Sequence, residues 1–162
     1  MSAPNDTMSL RELGRLEGGC NGDVSLFLER LGVPIDDMSP RQRAAYDVIT
    51  GYRPARALLR SEDPNQQAQG REAMLRFANT RISLADAAIN AGDLIGGLNT
   101  LQQRASGFVM AGERDSQVLV LRQVWETLNR DFTLDDSSDD VLFLRDSLFA
   151  GLLENDPEFS KL

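Results

Sequence analysis

Over six consecutive positions, Asp135, Asp136, Ser137, Ser138, Asp139 and Asp140, the chain sets out four carboxylates and two hydroxyls. Oxygen at that density suits three tasks: holding a hard divalent cation, presenting a phosphate-like surface to a basic protein, or capping the helix that follows. A second group carries the opposite sign. Arg53, Arg56 and Arg60 recur at helical spacing within residues 41–60, where five Arg stand beside one acid, Asp47, and two aromatics, Tyr46 and Tyr52. Planar guanidinium forks bind carboxylates and phosphates through paired hydrogen bonds, so this face suits an acidic surface or, with stacking on the tyrosines, a nucleic acid. The chain has no His. Ser-His-Asp triads, Cys-His dyads and His-based zinc or di-iron sites are therefore excluded, leaving carboxylate, Arg, Lys, Tyr or thiol chemistry. The single thiol, Cys20, lies in G-G-C-N-G-D. It reads as a loop cysteine without an imidazole base to activate it.

Asp135, Asp136 and Asp139 resemble the D-D-x-x-D element of the all-α prenyl diphosphate synthases, and the resemblance covers those three residues. It implies carboxylates holding magnesium on a diphosphate. The same stretch can be laid on an EF-hand loop, with Asp135, Ser137, Asp139 and Asp146 at the first, third, fifth and twelfth positions and Asp140 where that loop has Gly. Capping is the simpler account: Asp and Ser before an apolar run satisfy the first amides of a helix, and their charge complements its dipole. No metal, cofactor or small-molecule substrate is expected on that reading.

Charge is segregated along the chain. Residues 131–159 hold nine Asp and Glu against one base, Arg145, while the rest is near balance, and the net charge is -8. A general affinity for phosphate backbones is disfavoured, and membrane association is not expected, because no apolar run approaches the 18 or so residues of a span. All but one of the basic residues are Arg, a bias that fits a GC-rich bacterial or phage genome. A lone cysteine allows no internal disulfide, which points to the cytoplasm. Ser160, Lys161 and Leu162 spell the peroxisomal address S-K-L, the alternative location.

The elements that must position these groups read as helices throughout. Ser9 can cap a short helix bearing Leu10, Leu13 and Leu16, with Gly18 and Gly19 at its end; Asp23 caps residues 24–31, closed by Gly32. Ser39, Pro40 and Gln42 combine a cap, a first-turn proline and a capping-box partner, opening a helix to about Thr50 that Gly51 and Pro54 interrupt. Asp63, Pro64 and Gln66 repeat the signal ahead of Ala68, Leu75, Phe77, Ala78 and Ile82, in a helix that runs to Ala91 or breaks near Ser83. Ala91-Gly92-Asp93 and Ala111-Gly112-Glu113 read as tight turns between helices. Between them Leu94, Ile95, Leu98, Leu101, Phe108 and Val109 make an apolar face, with Gly96 and Gly97 permitting close approach of a neighbour.

Val118, Leu121, Trp125, Leu128 and Phe132 then form one stripe of a helix expected at the centre of the fold. The last helix, residues 141–153, should bury Val141, Leu142, Leu144, Leu148, Phe149 and Leu152. No segment alternates as a half-buried strand would. The expected fold is all-α, a single domain over residues 1–162, built as a bundle or αα-hairpin stack of six to eight helices without β-sheet, with residues 1–8 and 157–162 as loose termini.

These readings converge on a non-enzymatic interaction module. It would bind another protein or itself through an apolar helical groove, with Arg53, Arg56 and Arg60 on one side and Asp135, Asp136, Asp139 and Asp140 on the other giving charge complementarity. Two alternatives follow from the same residues: an acidic nucleic-acid mimic that occupies a DNA- or RNA-binding protein, and a carboxylate or metal-dependent enzyme. Direct nucleic-acid binding through Arg53, Arg56 and Arg60 is a further reading, and a disfavoured one.

Overall fold

The structure is a computed structural model that describes residues 8–132 and 138–159. Among them it is all-α and contains no strand. The order is α1 (Leu10–Gly19), α2 (Val24–Leu31), a 3-10 turn (Ile35–Asp37), α3 (Pro40–Asp47), a π-helical turn (Val48–Tyr52), α4 (Arg53–Leu59), α5 (Pro64–Asn90), α6 (Leu94–Met110), α7 (Arg114–Asp131) and α8 (Asp139–Asn155).

Caps read from sequence do what their chemistry requires. Ser9 with Glu12, and Ser39 with Gln42, close reciprocal capping boxes, while the Asp23, Asp63, Asp93 and Ser138 side chains each accept an amide of the following turn. Gly92 (φ 89) and Gly112 (φ 86) supply left-handed backbone in two turns of the same construction. The amide after each glycine donates back to the carbonyl five residues earlier, Asp93 to Ala88 and Glu113 to Phe108, at 2.9 and 2.8 Å. This is the doubly bonded helix end that needs no Cβ at its turning residue. In both cases the residue closing one helix is also the cap position of the next, so α5, α6 and α7 fold back on one another with no loop to spare.

The expected interruption at Gly51 and Pro54 is a bulge within a continuous rod. Proline interrupts an α-helical ladder because it lacks an amide and its ring meets the carbonyl four residues back. One wide turn moves the bonding partner, so that the Arg53 amide donates to Val48, and Pro54 falls in the first turn of α4, where no amide is needed. α5 does not break at Ser83.

Three apolar clusters fill the interior: Phe27, Leu31 and Ile49 among α1, α2 and α3; Met74, Phe77 and Ala55 between α4 and α5; and Leu98, Leu121, Leu128, Leu144 and Leu148 among α6, α7 and α8. The most extensive packing is α5 against α6, followed by α6 against α7. α6, rather than the Trp125 helix, is thus the middle element. It can be so because all its buried residues but Leu98 are small: Gly96, Gly97, Thr100, Ala105 and Gly107. A Cβ on Gly97 would stand 2.6 Å from Ile89 Cγ1 and 3.0 Å from the Ala85 carbonyl, and one on Gly107 would stand 3.0 Å from Ala78 Cβ.

Several side chains lie elsewhere than their spacing implied. In α7 Leu121 and Leu128 are buried as expected, but Gln117 and Val124 complete the stripe in place of Val118 and Trp125, and Trp125 is only half-buried. In α8 Val141, Leu144, Leu148 and Leu152 are buried, but Leu142 and Phe149 are exposed. In α5 Arg81 is in the interior and Ile82 outside. Cys20 is no loop thiol: it caps α1 at its C-terminal end and is buried beside Phe27 and Leu31. Phe159 is held against Trp125 in an edge-to-face contact at 5.6 Å.

Gly70, buried in α5, packs where a Cβ would lie 2.7 Å from the Leu59 amide nitrogen and 2.9 Å from the Ala55 carbonyl, whereas one on Gly14 in α1 meets nothing within 4 Å. Gly70→Ala is expected to destabilise by on the order of 1–3 kcal/mol through backbone displacement. Gly14→Ala should instead stabilise by about 0.5–1 kcal/mol, since helical alanine has less chain entropy to lose. Urea midpoints at constant slope compare the two.

Candidate functional site

The charged residues singled out by sequence are distributed rather than gathered. Asp135 and Asp136 lie outside the described residues, as do Ser137 and the S-K-L tail. Asp139 pairs with Arg11 at 3.2 Å on an exposed edge. Asp140 is half-buried and accepts from two groups: its Oδ1 takes the Leu10 amide (2.8 Å), the first of α1, and its Oδ2 takes Arg41 Nη1 (2.6 Å). Arg53 pairs with Glu17 of α1. Arg56 lies over the Tyr52 ring at 5.8 Å, and Arg60 is exposed at the end of α4. Among the described residues the Arg stretch and the acidic end therefore meet at one place, Arg41 with Asp140, and otherwise use different partners.

Arg41 anchors that meeting. Its Nε and Nη2 donate to Asp93 at 2.9 and 2.7 Å, and its Nη1 donates to Asp140 and to the Met8 carbonyl (3.2 Å). The guanidinium side chain is 12% exposed. Burial pushes its pKa down, but hydrogen bonds to Asp93 and Asp140 outweigh this and raise it, so the charge is fixed at every working pH. Asp93 serves twice, since its Oδ1 also takes the Gly96 amide that opens α6, and the space a Cβ on Gly96 would fill holds its carboxylate.

Metal chemistry finds little geometry. Among the described residues no three His, Cys, Asp or Glu side chains are grouped to hold an ion. The EF-hand register is contradicted over its described part: α8 starts at Asp139, so residues 139–146, expected to curl round a cation, run along a helix, with Asp146 two turns from Asp139.

Of the surface depressions, two bear on recognition. The larger, about 790 Å³, follows the π-helical turn against α5 and includes Arg43, Asp47, Thr50, Arg76, Thr80 and Arg81. Its cations are engaged. Arg81 donates to Asp47 at 2.7 Å and sits over Phe77 at 4.4 Å, Arg43 also reaches Asp47 (3.3 Å), and Arg76 pairs with Glu72. The smaller, about 510 Å³, is a groove floored by α6 with α5 and α7 as its walls, and it is apolar in character: Ile82, Leu98, Leu101, Phe108, Leu119 and Val120. Ile82 is 46% and Leu119 57% exposed. Its one cation, Arg104, lies over Phe108 at 4.6 Å and donates to the Ala78 carbonyl (3.0 Å). Arg104 makes no ion pair among the described residues, and burial lowers its pKa.

Sequence reasoning missed this groove because it assigned Ile82 to the interior and gave Leu119 and Arg104 no role. A signal was available in the apolar surplus of the last helices, which exceeds what one stripe can bury. Compared with known proteins, the chain matches no family model, no curated sequence and no solved structure.

Two outcomes follow from the ion pairs. Removing the Arg41 cation leaves two carboxylates facing each other, so Arg41→Met should cost on the order of 3 kcal/mol, the scale for breaking a desolvated pair. Asp140→Asn keeps one accepting oxygen and sets an NH2 against the other donor, the Leu10 amide or Arg41 Nη1, so it should cost about 1–3 kcal/mol; urea unfolding at neutral pH measures both. At the far end of α8, Arg122 donates twice to buried Asp156 at 2.6 Å. Those bonds, helped by the Glu158 amide, hold the Asp156 carboxyl below its ordinary value against the upward push of burial. A folded-state pKa below the unfolded one makes the contribution complete above the usual carboxylate range near pH 4 and removes it as pH falls through the depressed value. Asp156→Asn should accordingly flatten the acid limb of stability against pH and leave its shape above pH 6 unchanged.

Proposed function

We propose that the chain is a non-enzymatic helical interaction module whose recognition surface is the apolar groove on α5, α6 and α7. The observation that supports this most is the uncovered pair Ile82 and Leu119 on opposite walls of a groove with an apolar floor. Isolated exposed apolar residues are ordinary on any protein, but two lining one concavity mark a surface shaped to receive apolar side chains. Grooves between helices accept the apolar face of an amphipathic helix, read as anchors three and four residues apart.

Charge complementarity survives in this reading in altered form. Arg53, Asp139 and Asp140 already have partners within the chain, so Arg56 and Arg60 on α4 are left to contribute orientation at the rim of a complex. The acidic-mimic alternative has less support, because Asp139 and Asp140 are paired with Arg11 and Arg41 rather than held out for a basic protein.

The chain, tagged and presented to an extract of its own cells, should retain a protein, a second copy of itself included. Leu119→Asp and Ile82→Glu change exposed side chains and are expected to leave the helical circular dichroism intact while lowering that retention at least about tenfold, or 1.4 kcal/mol. Equal retention by both variants would overturn the groove as the recognition surface.

A further inference from the structure

α8 carries two apolar stripes. Val141, Leu144, Leu148 and Leu152 are buried against the body of the molecule. Leu142, Phe149 and Leu153 are exposed, and with Asp146 they fall at steps of four, three and four, one line along the outer face. Such an amphipathic face is ordinarily a charged one. Here it presents apolar, acid, apolar, apolar, about 16 Å from first to last at 1.5 Å per residue. Asp146 makes no ion pair among the described residues, and Phe149 forms a three-ring cluster with Trp125 at 6.1 Å and Phe159 at 5.6 Å.

The groove of α5, α6 and α7 has the matching pattern. Ile82 and Leu119 stand on its walls, Leu101 and Phe108 on its floor, and between those two floor residues lies Arg104, a cation with no carboxylate partner among the described residues. An apolar groove containing one unneutralised guanidinium favours a helix whose apolar stripe is broken by one acid, because docking such a helix supplies the missing counter-charge while the apolar ends are buried. Outer α8 is a helix of that composition.

We infer that the occupant of the groove is α8 of a second copy of this chain, with its Leu142, Phe149 and Leu153 buried in the groove and its Asp146 paired with Arg104. The inference rests on the interaction-module reading and deepens it by naming the partner. Groove and stripe are different surfaces, so the contact is head-to-tail: each copy keeps one free groove and one free stripe, and association either closes into a ring or continues. The wide negative field of residues 131–159 opposes approach of like ends and favours this arrangement over a twofold pairing of α8 with α8.

Sedimentation equilibrium of the full chain tests it. At low salt the wild type should rise from the single-chain mass of 17.9 kDa toward twice that and beyond as concentration passes about 100 µM, and fall back with added salt. Leu119→Asp, which blocks the groove, and Phe149→Asp, which blocks the stripe, should each be monomeric alone. Mixed together they should give a dimer and nothing larger, since one intact groove meets one intact stripe. Asp146→Arg, on an exposed position that does not touch the aromatic rings, provides the stripe variant should Phe149→Asp lose helicity. A wild type that stays monomeric overturns the inference, as does a mixture that fails to pair. A monomeric wild type whose capture of some other protein depends on Leu119 overturns the second copy as occupant while the interaction reading stands; loss of both overturns both.

Discussion

One guanidinium holds four helices in register. Arg41 projects from the first turn of α3 and binds the cap carboxylate of α6, the first-turn carboxylate of α8 and the backbone just ahead of α1. Each of those is a helix N-terminus or its immediate approach, where unpaired amides leave partial positive charge. Three such ends would repel one another if brought together bare. Asp93 and Asp140 neutralise two of them, and Asp140 shares an oxygen with the first amide of α1. Arg41 then balances the two carboxylates, making the cluster of ends compatible with burial. Lys could supply the charge but not the planar fork that meets both oxygens of Asp93.

From that junction the rest of the geometry follows. With the start of α6 fixed, the doubly bonded turn at Gly92 sets α5 antiparallel to it, and the turn at Gly112 does the same for α7. Gly97 and Gly107 let α5 and α6 approach until backbone meets side chain. Close approach on one side leaves less apolar bulk in that seam to cover the neighbouring face. The groove where Ile82 and Leu119 are exposed is thus the complement of the tight seam: small residues were placed to bring helices together, and large ones remain beside the seam without a cover.

Local chemistry was largely legible from sequence and tertiary choice was not. Caps at Ser9, Asp23, Ser39, Asp63 and Asp93 depend on side chains within three residues of the amides they satisfy, so spacing alone identifies them. The same holds for the A-G-acid turns. The π-helical turn was missed because Pro54 forbids one hydrogen bond without specifying how the ladder is repaired. The expected α8 stripe is too wide, adding Leu142 and Phe149 to the four residues that are buried, and the expected α7 stripe has Leu121 and Leu128 right but takes Val118 and Trp125 where Gln117 and Val124 are buried. Each helix offers more apolar residues than one face can use, and only the neighbour decides which are buried. Arg81 defeats the pattern outright: an interior cation is invisible until Asp47, thirty-four residues away, is seen to pair with it. Candidate binding residues suffered most, because exposure is a property of what fails to be covered.

That failure of cover is itself informative about assembly. An apolar surplus in a chain of net charge -8 is not needed for the core, which α8 already completes with Val141, Leu144, Leu148 and Leu152. Leu142, Phe149 and Leu153 remain 40%, 47% and 50% exposed, and apolar surface left open carries a cost in unwanted association. The acids around them lessen that cost, since Asp146 and Glu154 repel a like surface, and a groove containing an unneutralised guanidinium is a surface they do not repel. On the proposed pairing the selection is by sign: apolar contact would give the area, Arg104 would decide which helix enters, and a partner of the wrong charge would leave that guanidinium desolvated and unpaired.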